Sequence, residues 1–486
     1  DLADPGRFAS VPVSGIALDS RKVVRGGLFL AFAGHSRHGF EYVDTALAQG
    51  AAAILTDSVD AEPVSTYRGR PLVKVKQLAL RAGVIAARFH GEPSRQMHMV
   101  GVTGTNGKTS VSHFVASSLH HSAPCGLVGT LGAGLFGALH STGHTTPDPV
   151  ALQALLASMR NAGAKIAVME VSSHALVQER VAGVAFDTAV FTNLSHEHLD
   201  YHGDMESYAA AKRRLLEWPG LKTAIINADD PAGSEWLSSL RDDLNIIDYG
   251  LVERHGRWPQ LLGTDLRLEA SGLSLTIRSP WGTGKLDTGL LGRFNAHNLL
   301  AALGALLAAG LGFDDALERL GRVKTVPGRM ERFGGGESRP LVVIDYAHTP
   351  DALEQVLRAA GEHCRGNLWC VFGCGGDRDK DKRSLMGQIA ERHADSIIIT
   401  DDNPRSEDPY AIIEQIQQGM AGPDAGQVIR ERGEAIAHVL RSAAPTDVVV
   451  IAGKGHETEQ VIAGRSLPFS DRETAARLLE EEVPSG

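Results

Sequence analysis

A glycine-rich segment with a lysine and a threonine gives the clearest chemical signal in the sequence. Residues 103–109 read Thr-Gly-Thr-Asn-Gly-Lys-Thr and directly follow the largely apolar run 97–102. The backbone N–H groups of such a loop, and of the helix after it, can hold phosphate groups. The Lys108 ammonium would neutralise phosphate charge, and the Thr109 hydroxyl could bind Mg²⁺. The segment predicts nucleotide binding by Gly104, Thr105, Asn106, Gly107, Lys108, Thr109 and Ser110.

Phosphoryl transfer also needs metal ligands, and two further segments could supply them. Glu170 follows the apolar run 166–169, and a segment with three histidines within seven residues, 196–202, follows another apolar stretch. The carboxyl ends of parallel strands form the ligand-binding edge of an open α/β sheet, so both segments are expected at one edge. A single histidine there could be structural, but three of them favour a role in the site.

Short β-branched runs alternate with helical patterns along the chain, which predicts an α/β fold with parallel sheets. Pattern breaks near residues 91–94 and 326–328 divide it into three domains, 1–90, 91–326 and 327–486. The middle domain is predicted to hold a P-loop ATPase-like parallel sheet, with an antiparallel β appendage at 266–278. The last domain repeats strand and helix and is predicted to be Rossmann-like.

Composition and charge exclude several classes of protein. The 486 residues include 48 basic and 58 acidic ones, so the net charge of −10 speaks against a broad nucleic-acid-binding surface. The longest uncharged apolar stretch, 299–313, contains three glycines and predicts a buried helix rather than a membrane span. Four cysteines without a Cys-x-x-Cys pair, and residues 1–5 without a signal-peptide pattern, favour a cytoplasmic protein. We also expect a monomer.

The phosphate loop and the segments 169–174, 196–203 and 345–350 together resemble the Mur ligase family, the ATP-dependent amide-forming enzymes of peptidoglycan precursor synthesis. The resemblance covers essentially the whole chain and implies an N-terminal domain that binds a UDP-linked substrate. Within that family, the run Asp402, Asn403, Pro404, Arg405 matches the signature that marks addition of meso-diaminopimelate. Lysine-adding relatives carry a different residue at the arginine position.

The resemblance also implies a reaction. ATP would phosphorylate the γ-carboxylate of D-glutamate in UDP-N-acetylmuramoyl-L-Ala-D-Glu, and the amine of meso-diaminopimelate would displace phosphate from the acyl phosphate. The implied catalytic residues are Lys108, Glu170, His198 and Lys212, with Mg²⁺ on Thr109 and Glu170 and a second Mg²⁺ on His198 and Lys212. An ammonium group cannot bind a cation, so Lys212 would carry a carbamate. Taken alone, Lys212 would be an ordinary solvated helix lysine.

Further binding residues follow from the resemblance. ATP would contact Asn295, Asn298, Arg329 and Asp345, at a site that closes between domains. The uridine side would contact Ser20 and the loop 34–39, and the muramoyl dipeptide would contact Thr145, Thr146, Ser172, Gln178 and Arg180. Individually, such serines and threonines are more often turn or cap residues.

The incoming amino acid is expected at the signature. Arg405, with help from Arg378, would bind the second carboxylate of diaminopimelate through its planar fork. Its ammonium would be received by Asp402, Asn403, Glu457 and the backbone of Gly453, beside Pro404. An ordinary turn is the alternative for Asp402–Arg405. Apart from Arg378, the charged run 377–383 is expected to be a solvated helix start.

Three other interpretations remain open. The first two are a lysine-adding relative and a folylpolyglutamate synthase, which typically has Gly-Ser after the loop lysine where this chain has Thr109 and Ser110. The third is a P-loop nucleotide switch, although the chain has no Asn-Lys-x-Asp motif. The loop is itself a variant, because Val102 stands where the strict motif has glycine. Nucleotide hydrolysis independent of a UDP-sugar peptide would favour the switch.

Overall fold

The computed structural model describes residue 8 and residues 10–34, 37–58, 64–120, 123–253, 256, 258–336, 338–422 and 425–481. Residues 1–5, and positions 35 and 36 of the predicted uridine loop, lie outside these ranges. The chain forms two compact units. Unit 1 comprises residues 1–248 and 304–310, and unit 2 comprises residues 249–303 and 311–486.

Unit 1 begins with a small sheet that contains β1 (Ile16–Ala17), β2 (Leu28–Ala31), β3 (Ala53–Thr56), β4 (Val64–Tyr67) and β5 (Arg70–Lys74), with helices α1 (Val43–Ala48) and α2 (Leu78–Phe89). The strand order is β1-β2-β3-β5-β4; β4 is antiparallel to β5, and the other neighbouring pairs are parallel. Its core includes Phe29, Val43 and Ile54. Ser20, the predicted uridine contact, is buried in the 3-10 helix Ser20–Lys22.

The strands of the second sheet of unit 1 are β6 (His98–Thr103), β7 (Cys125–Gly129), β8 (Gly132–Leu135), β9 (Ala138–His140), β10 (Ile166–Glu170), β11 (Thr188–Phe191), β12 (Thr223–Asn227) and β13 (Asn245–Gly250). They lie in the order β9-β8-β7-β10-β6-β11-β12-β13. The central strands are parallel, whereas β8 and β9 form an antiparallel edge. The loops after β6, β10 and β11 therefore share one edge.

In the described part of the chain, the helices beside this sheet are α3 (Lys108–His120), α4 (Pro149–Asn161), α5 (Ser173–Val177), α6 (Leu199–His202), α7 (Met205–Leu216) and α8 (Pro231–Trp236). Asp204 caps α7 by accepting a hydrogen bond from Ser207 N at 2.7 Å. The buried face of α7 carries Tyr208, Ala211, Lys212 and Leu215, which have the i, i+3, i+4, i+7 spacing of one helix face.

Unit 2 contains the predicted antiparallel appendage. Its strands are β14 (Leu261–Glu269), β15 (Gly272–Ser279) and β16 (Gly282–Thr288), followed by helices α9 (Phe294–Ala308) and α10 (Phe313–Gly321). β15 is antiparallel to both β14 and β16, and the turn between β14 and β15 is at residues 270–271, so the predicted hairpin is confirmed. Leu299 and Leu303 of α9 are fully buried, as a core helix requires.

The rest of unit 2 is a six-stranded, mainly parallel sheet with a small hairpin. The strands are β17 (Glu331–Gly334), β18 (Leu341–Asp345), β19 (Leu368–Phe372), β20 (Ser396–Ile399), β21 (Gln427–Val428), β22 (Val448–Ala452), β23 (Glu459–Ile462) and β24 (Arg465–Pro468). The helices are α11 (Pro350–Gly361), α12 (Asp381–His393), α13 (Pro409–Gln417), α14 (Arg432–Ser442) and α15 (Asp471–Glu481).

The strand order of this last sheet is β17-β18-β22-β19-β20-β21, with β18, β22, β19 and β20 parallel. Asp345 and the loops that begin at Gly373, Thr400 and Gly453 consequently meet at one carboxyl edge. The predicted α/β class, with its parallel sheets, is confirmed. The domain limits at residues 90 and 326 stay predictions. Among the described residues, no helix is long and apolar enough to cross a membrane, and all four cysteines are free thiols.

Candidate active site

The phosphate loop is the turn between β6 and α3, and the end of β11 fastens it. Thr105 N donates to Asn193 O at 2.8 Å, and Asn106 N donates to Asn193 Oδ1 at 2.9 Å. Gly104 has a φ of +145°, and a Cβ at this position would overlap Thr192 Oγ1. Glycine is required here because the loop backbone passes directly against the neighbouring strand end.

Two lysines converge on the carbonyl oxygen of Gly104. Lys108 Nζ donates to it at 2.9 Å, and Lys212 Nζ donates to it at 2.7 Å. Lys212 is 1% exposed, and its Nζ lies 4.3 Å from the ring centroid of Tyr208. Burial and then the nearby charge of Lys108 lower the pKa of Lys212 to about 6, and burial also lowers the pKa of Lys108. A neutral Lys212 amine is therefore available near pH 7.

Thr109 and Glu170, the predicted Mg²⁺ ligands, lie next to each other. Thr109 Oγ1 donates to Glu170 Oε2 at 2.9 Å. Thr130 binds the same carboxylate through its backbone N, at 2.8 Å, and its Oγ1, at 3.1 Å. Burial raises the pKa of Glu170, while the bonds from Thr130 and Thr109 oppose that rise. Thr130 lies in the turn between β7 and β8, and no motif in the sequence marks it.

These side chains suit a magnesium ion that arrives with a nucleotide. Within the described part of the chain, no group of three or more His, Cys, Asp and Glu side chains is arranged to hold a metal. Mg²⁺, however, commonly keeps several waters and takes only one or two protein oxygens plus substrate phosphates. Thr109 and Glu170 fit that pattern. Lys212 fits it only if a carbamate replaces its ammonium.

Aromatic rings lie beside His198, the other predicted metal ligand, which is exposed. Its ring centroid lies 4.9 Å from that of His174 and 6.2 Å from that of Tyr208, which also contacts Lys212. His198 has a φ of +57°, an uncommon backbone conformation that often marks functional positions. His202 Nε2 instead lies 2.9 Å from Ser173 Oγ, which is a structural contact. His198 and Lys212 therefore both lie beside the ring of Tyr208.

Thr145 and Thr146, predicted to contact the muramoyl dipeptide, lie beside Glu170. Thr145 Oγ1 is 3.2 Å from Thr130 Oγ1, one of the groups that hold the Glu170 carboxylate. Thr146 is buried, and its Oγ1 donates to Glu170 O at 2.9 Å. Two of the predicted substrate residues therefore lie beside the predicted metal ligand: Thr146 contacts Glu170 directly, and Thr145 lies next to Thr130, which binds the Glu170 carboxylate.

Gln178 and Arg180 continue this polar cluster. Arg180 Nη1 donates to Thr146 O at 3.0 Å, and its Nε donates to Gln178 Oε1 at 2.9 Å. Ser172 Oγ caps α5 by accepting a hydrogen bond from Ala175 N at 3.1 Å. In this structure Ser172 is therefore a helix cap, which is the alternative given for it. Ser20 lies in the 3-10 helix between β1 and β2 of the first sheet, whereas these residues lie near strand ends of the second. Substrate contacts by all of them stay predictions.

The signature residues follow β20 at the carboxyl edge of the last sheet. Asn403 Nδ2 donates to Glu457 Oε2 at 3.0 Å. Lys454, which is fully buried and which no motif predicted, donates to the same oxygen at 2.8 Å and to Asn403 Oδ1 at 3.2 Å. Burial opposes the ionisation of Glu457, but the bonds from Lys454 and Asn403 give it a lowered pKa. Glu457 is therefore a fixed anion that suits an ammonium group.

Arg405 and Arg378 flank one glycine at this edge. A Cβ at Gly375 would lie 2.8 Å from Arg405 Nη1 and 3.8 Å from Arg378 Cγ. Arg405 has a φ of +54°, and its Nη1 donates to Gly376 O at 2.7 Å. That bond uses one of the five N–H donors of the guanidinium. The side chains of the two residues predicted to bind one carboxylate thus lie against the same glycine.

Asp402 and Gly453 meet where β20 and β22 end. Gly453 has a φ of +119°, and a Cβ there would overlap Asp402 Oδ2, so this close approach requires glycine. Burial raises the pKa of Asp402. Gly453 N also donates to Asp345 O at 3.1 Å, and the Asp345 carboxylate accepts from Met330 N at 2.7 Å and Ala347 N at 2.8 Å.

The remaining predicted ATP contacts also lie in unit 2. Asn298 Nδ2 donates to Asn295 Oδ1 at 3.0 Å, and Asn295 Nδ2 donates to Leu291 O at 2.8 Å. The Arg329 guanidinium lies 5.8 Å from the ring centroid of Tyr346. The two asparagines are buried and polar, which is unusual without a role, but binding of ATP by these residues stays a prediction.

One expectation about the charged run 377–383 is wrong. Arg383 was expected at a solvated helix start, yet it is 0% exposed. Its guanidinium donates to both carboxylate oxygens of Glu407, at 2.9 and 3.0 Å, and to Gln415 Oε1 at 2.7 Å. Burial of this charge is possible because oxygens of Glu407, Gln415 and Gly375 accept hydrogen bonds from both terminal nitrogens of the guanidinium, although its Nε has no partner among the described residues.

Three family models match the chain. Residues 12–90 match the Mur ligase family catalytic domain, residues 102–306 match the Mur ligase middle domain, and residues 328–455 match the Mur ligase glutamate ligase domain. The chain belongs to the Mur ligase family. The phosphate loop of this Mur ligase lies in the segment that matches the middle domain, and its signature lies in the segment that matches the glutamate ligase domain. Membership of this family makes the nucleotide-switch interpretation wrong.

Named relatives resemble this Mur ligase over nearly its whole length. It is 51% identical over 471 residues, 96% of each chain, to the UDP-N-acetylmuramoyl-L-alanyl-D-glutamate–2,6-diaminopimelate ligase of Pseudomonas aeruginosa. It is 47% identical over 481 residues to the protein of the same name from Coxiella burnetii, which covers 99% of this chain and 98% of that one.

Solved structures give the same picture. A structure titled as a UDP-N-acetylmuramoyl-L-alanyl-D-glutamate–2,6-diaminopimelate ligase matches with a TM-score of 0.78 and 36% identity, covering 98% of this Mur ligase and 96% of that chain. The folylpolyglutamate synthase of Mycobacterium tuberculosis, complexed with ADP and AMPPCP, matches with a TM-score of 0.60. Its 22% identity, over 84% of this chain and 96% of that one, shows a likeness of fold alone.

Proposed function

We propose that this Mur ligase uses ATP to add meso-diaminopimelate to the D-glutamate γ-carboxylate of UDP-N-acetylmuramoyl-L-Ala-D-Glu, giving an amide, ADP and phosphate. The observation that carries the proposal is Arg405, the last residue of the signature, at the carboxyl edge of the last sheet and close to Arg378. Relatives with 47–51% identity over nearly the full chain bear the name of such a ligase.

Activation of the carboxylate is assigned to the phosphate-loop site, which we define as Gly104–Thr109, Glu170 and Lys212. The γ-carboxylate oxygen attacks the γ-phosphorus of ATP, the bond to the bridging oxygen of ADP breaks, and an acyl phosphate forms. Several negative charges meet at the transferred group, so charge stabilisation and positioning carry most of the catalysis. Lys108 supplies a cation at the loop. Its two carbonyl contacts, Gly104 O at 2.9 Å and Thr105 O at 2.7 Å, hold its Nζ in place.

We assign Mg²⁺ to Thr109 and Glu170, and a second Mg²⁺ to His198 and to a carbamate on Lys212. Bound Mg²⁺ would shield the phosphate charge. The carbamate is supported by the burial of Lys212 and by its pKa of about 6, because only a neutral amine adds to CO₂. Modification would turn a buried amine into a carboxylate-like ligand close to Tyr208.

The amino acid is assigned to the signature site, which we define as Arg378, Asp402–Arg405, Gly453 and Glu457. Glu457, held by Lys454 and Asn403, would receive an ammonium group of diaminopimelate. Arg405 and Arg378 would bind the carboxylate at its far end. The free amine then attacks the carbonyl carbon of the acyl phosphate, loses a proton, and expels phosphate.

A lysine-adding ligase is the nearest alternative. L-lysine has an amine at its far end but no carboxylate, so a pair of arginines at that position would have nothing to bind. ATP and a UDP-linked substrate are cytoplasmic metabolites, which agrees with the predicted location. We also propose that the protein is a monomer.

The acyl phosphate can be tested with isotope. UDP-N-acetylmuramoyl-L-Ala-D-Glu labelled with ¹⁸O in the γ-carboxylate is turned over with ATP, Mg²⁺ and meso-diaminopimelate, and the released phosphate is analysed by mass spectrometry. One ¹⁸O atom per phosphate is expected, because the carboxylate oxygen that attacked phosphorus leaves with it. Phosphate without ¹⁸O, formed together with the amide product, would contradict this route.

A further inference from the structure

Arg383 of α12 forms a two-point ion pair with Glu407. Its Nη1 donates to Glu407 Oε2 at 3.0 Å, and its Nη2 donates to Glu407 Oε1 at 2.9 Å. The same guanidinium donates to Gln415 Oε1 at 2.7 Å and to Gly375 O at 3.1 Å. Charge-assisted bonds of this two-point kind hold both partners in one orientation.

Glu407 in turn joins two loops that follow the parallel strands β19 and β20. Its Oε1 accepts a hydrogen bond from Asp377 N at 2.6 Å. The Asp377 carboxylate accepts from Ser406 Oγ at 2.7 Å and from Ser406 N at 3.2 Å. Gly376 N donates to Asn403 O at 2.9 Å. The two loops are therefore tied to each other and, through Arg383, to the buried face of α12.

These two loops carry the cations of the signature site. Arg378 follows Asp377 directly, and Arg405 stands two residues before Glu407. Arg405 Nη1 also donates to Gly376 O in the first loop. Any shift of one loop against the other would change the distance between the two guanidinium groups.

We propose that Arg383 and Glu407 are positioning residues that fix Arg378 and Arg405 in the arrangement needed for the second carboxylate of the amino acid. The inference rests on the function proposed above and adds the source of its substrate preference. Two-point recognition of a carboxylate depends on direction as well as distance, and a misplacement of about 1 Å can cost about 10²-fold. L-lysine has no carboxylate at that end, so its use should be insensitive to the same misplacement.

The test compares variants of the full-length protein with a matched control. Glu407→Gln removes the charge and keeps the shape. Because it leaves the Arg383 charge buried and unpaired, the double variant Arg383→Met with Glu407→Met removes both charges together. Asp377→Asn weakens the exposed end of the same network. The control is Asp447→Asn. Asp447 lies just before β22, at the opposite edge of the sheet, and its carboxylate accepts hydrogen bonds from Asn367 N at 2.8 Å and Ala444 N at 3.0 Å.

Phosphate release is measured against the concentrations of meso-diaminopimelate, L-lysine and ATP, together with the melting temperature. The variants at Arg383, Glu407 and Asp377 are expected to show a KM for meso-diaminopimelate raised about 10- to 100-fold. Their KM for ATP and any turnover of L-lysine should be unchanged. The control is expected to lose thermal stability without that change in KM. A merely structural role would lower kcat and stability and leave the preference intact.

The possible failures can be told apart. The positioning role alone would be overturned if the wild-type protein is active and the folded Asp377→Asn variant and the folded double variant keep its KM for meso-diaminopimelate and its preference over L-lysine. A wild-type protein that releases no phosphate with meso-diaminopimelate would overturn the proposed function, and with it this inference.

Discussion

Lys108 and Lys212 donate hydrogen bonds to one acceptor, the carbonyl oxygen of Gly104, at 2.9 and 2.7 Å. Burial, and after it the nearby charge of Lys108, lowers the pKa of Lys212 to about 6. A neutral Lys212 amine is the form that the proposed carbamate requires.

Lys212→Ala is expected to lower turnover by about 10²-fold or more, because a buried electrostatic group at the reacting centre is lost. Acetate or formate at millimolar concentration should restore part of the activity, since a small carboxylate can stand in for the carbamate. Phosphate release with and without added carboxylate is the measurement.

Lys222→Ala is the control for that experiment, because Lys222 is a lysine of the same unit whose side chain is 75% exposed. It should retain full activity and show no response to carboxylates. Full activity of Lys212→Ala would remove Lys212 from the site.

Lys454→Met is expected to raise the KM for meso-diaminopimelate about tenfold, since hydrogen bonds to charged groups contribute about 1.5–3 kcal/mol. Without Lys454, Glu457 loses a partner that lowers its pKa. As the pH is lowered, Glu457 should therefore become protonated, and stop binding the ammonium, at a higher pH than in the wild type. The KM measured from about pH 4 to about pH 8 shows both effects, because the pKa of Glu457 is lowered from 4.5 in the wild type. Lys285→Met, at a side chain that is 66% exposed, serves as the control and should match the wild type.

Arg405→Lys keeps the charge and removes the planar fork. The KM for meso-diaminopimelate is expected to rise about 10- to 100-fold, because an ammonium cannot bind a carboxylate at two points. The KM for ATP should not change. Arg358→Lys, on the exposed face of α11, is the matched control. Equal apparent affinities for diaminopimelate in Arg405→Lys and the wild type would place the second carboxylate elsewhere.

His113 gives a prediction about stability. Burial lowers its pKa to about 4, and no described residue lies within hydrogen-bonding distance of its Nδ1. Below pH 6.5 the unfolded chain binds a proton that the folded chain does not, so stability should fall as the pH drops from 6.5 to 4, by at most about 3 kcal/mol.

His113→Leu should flatten that part of the curve, whereas His140→Leu, at an exposed site, should not. Urea midpoints measured at several pH values give the comparison. Parallel curves for His113→Leu and the wild type would show that folding does not lower the pKa of His113.

The sequence predicted the strands and the phosphate loop well because both depend on local patterns. It gave the wrong surroundings for Arg383 and, without the family resemblance, for Lys212. Both errors were avoidable, since Arg383 shares its helix face with Met386, Gly387 and Ala390, at the same spacing that places Lys212 with Tyr208, Ala211 and Leu215. A charged residue on an otherwise apolar helix face is therefore expected to be buried and to have polar partners there.

Other site residues could not be found in this way. Thr130 and Lys454 lie in turns, and their partners, Glu170 and Glu457, are 40 and 3 residues away in the chain. No periodicity marks a turn residue, and its contacts depend on which strands become neighbours. For the same reason the link between Asp377 and Ser406 is visible only in the folded sheet.

The central claim is that this Mur ligase selects meso-diaminopimelate. The most direct test is phosphate release from ATP in the presence of Mg²⁺ and UDP-N-acetylmuramoyl-L-Ala-D-Glu, with meso-diaminopimelate and L-lysine supplied in parallel. Release with diaminopimelate and little or none with lysine is the predicted result. Release with lysine alone would contradict the selectivity assigned to Arg405, and release with neither would contradict the ligase activity itself.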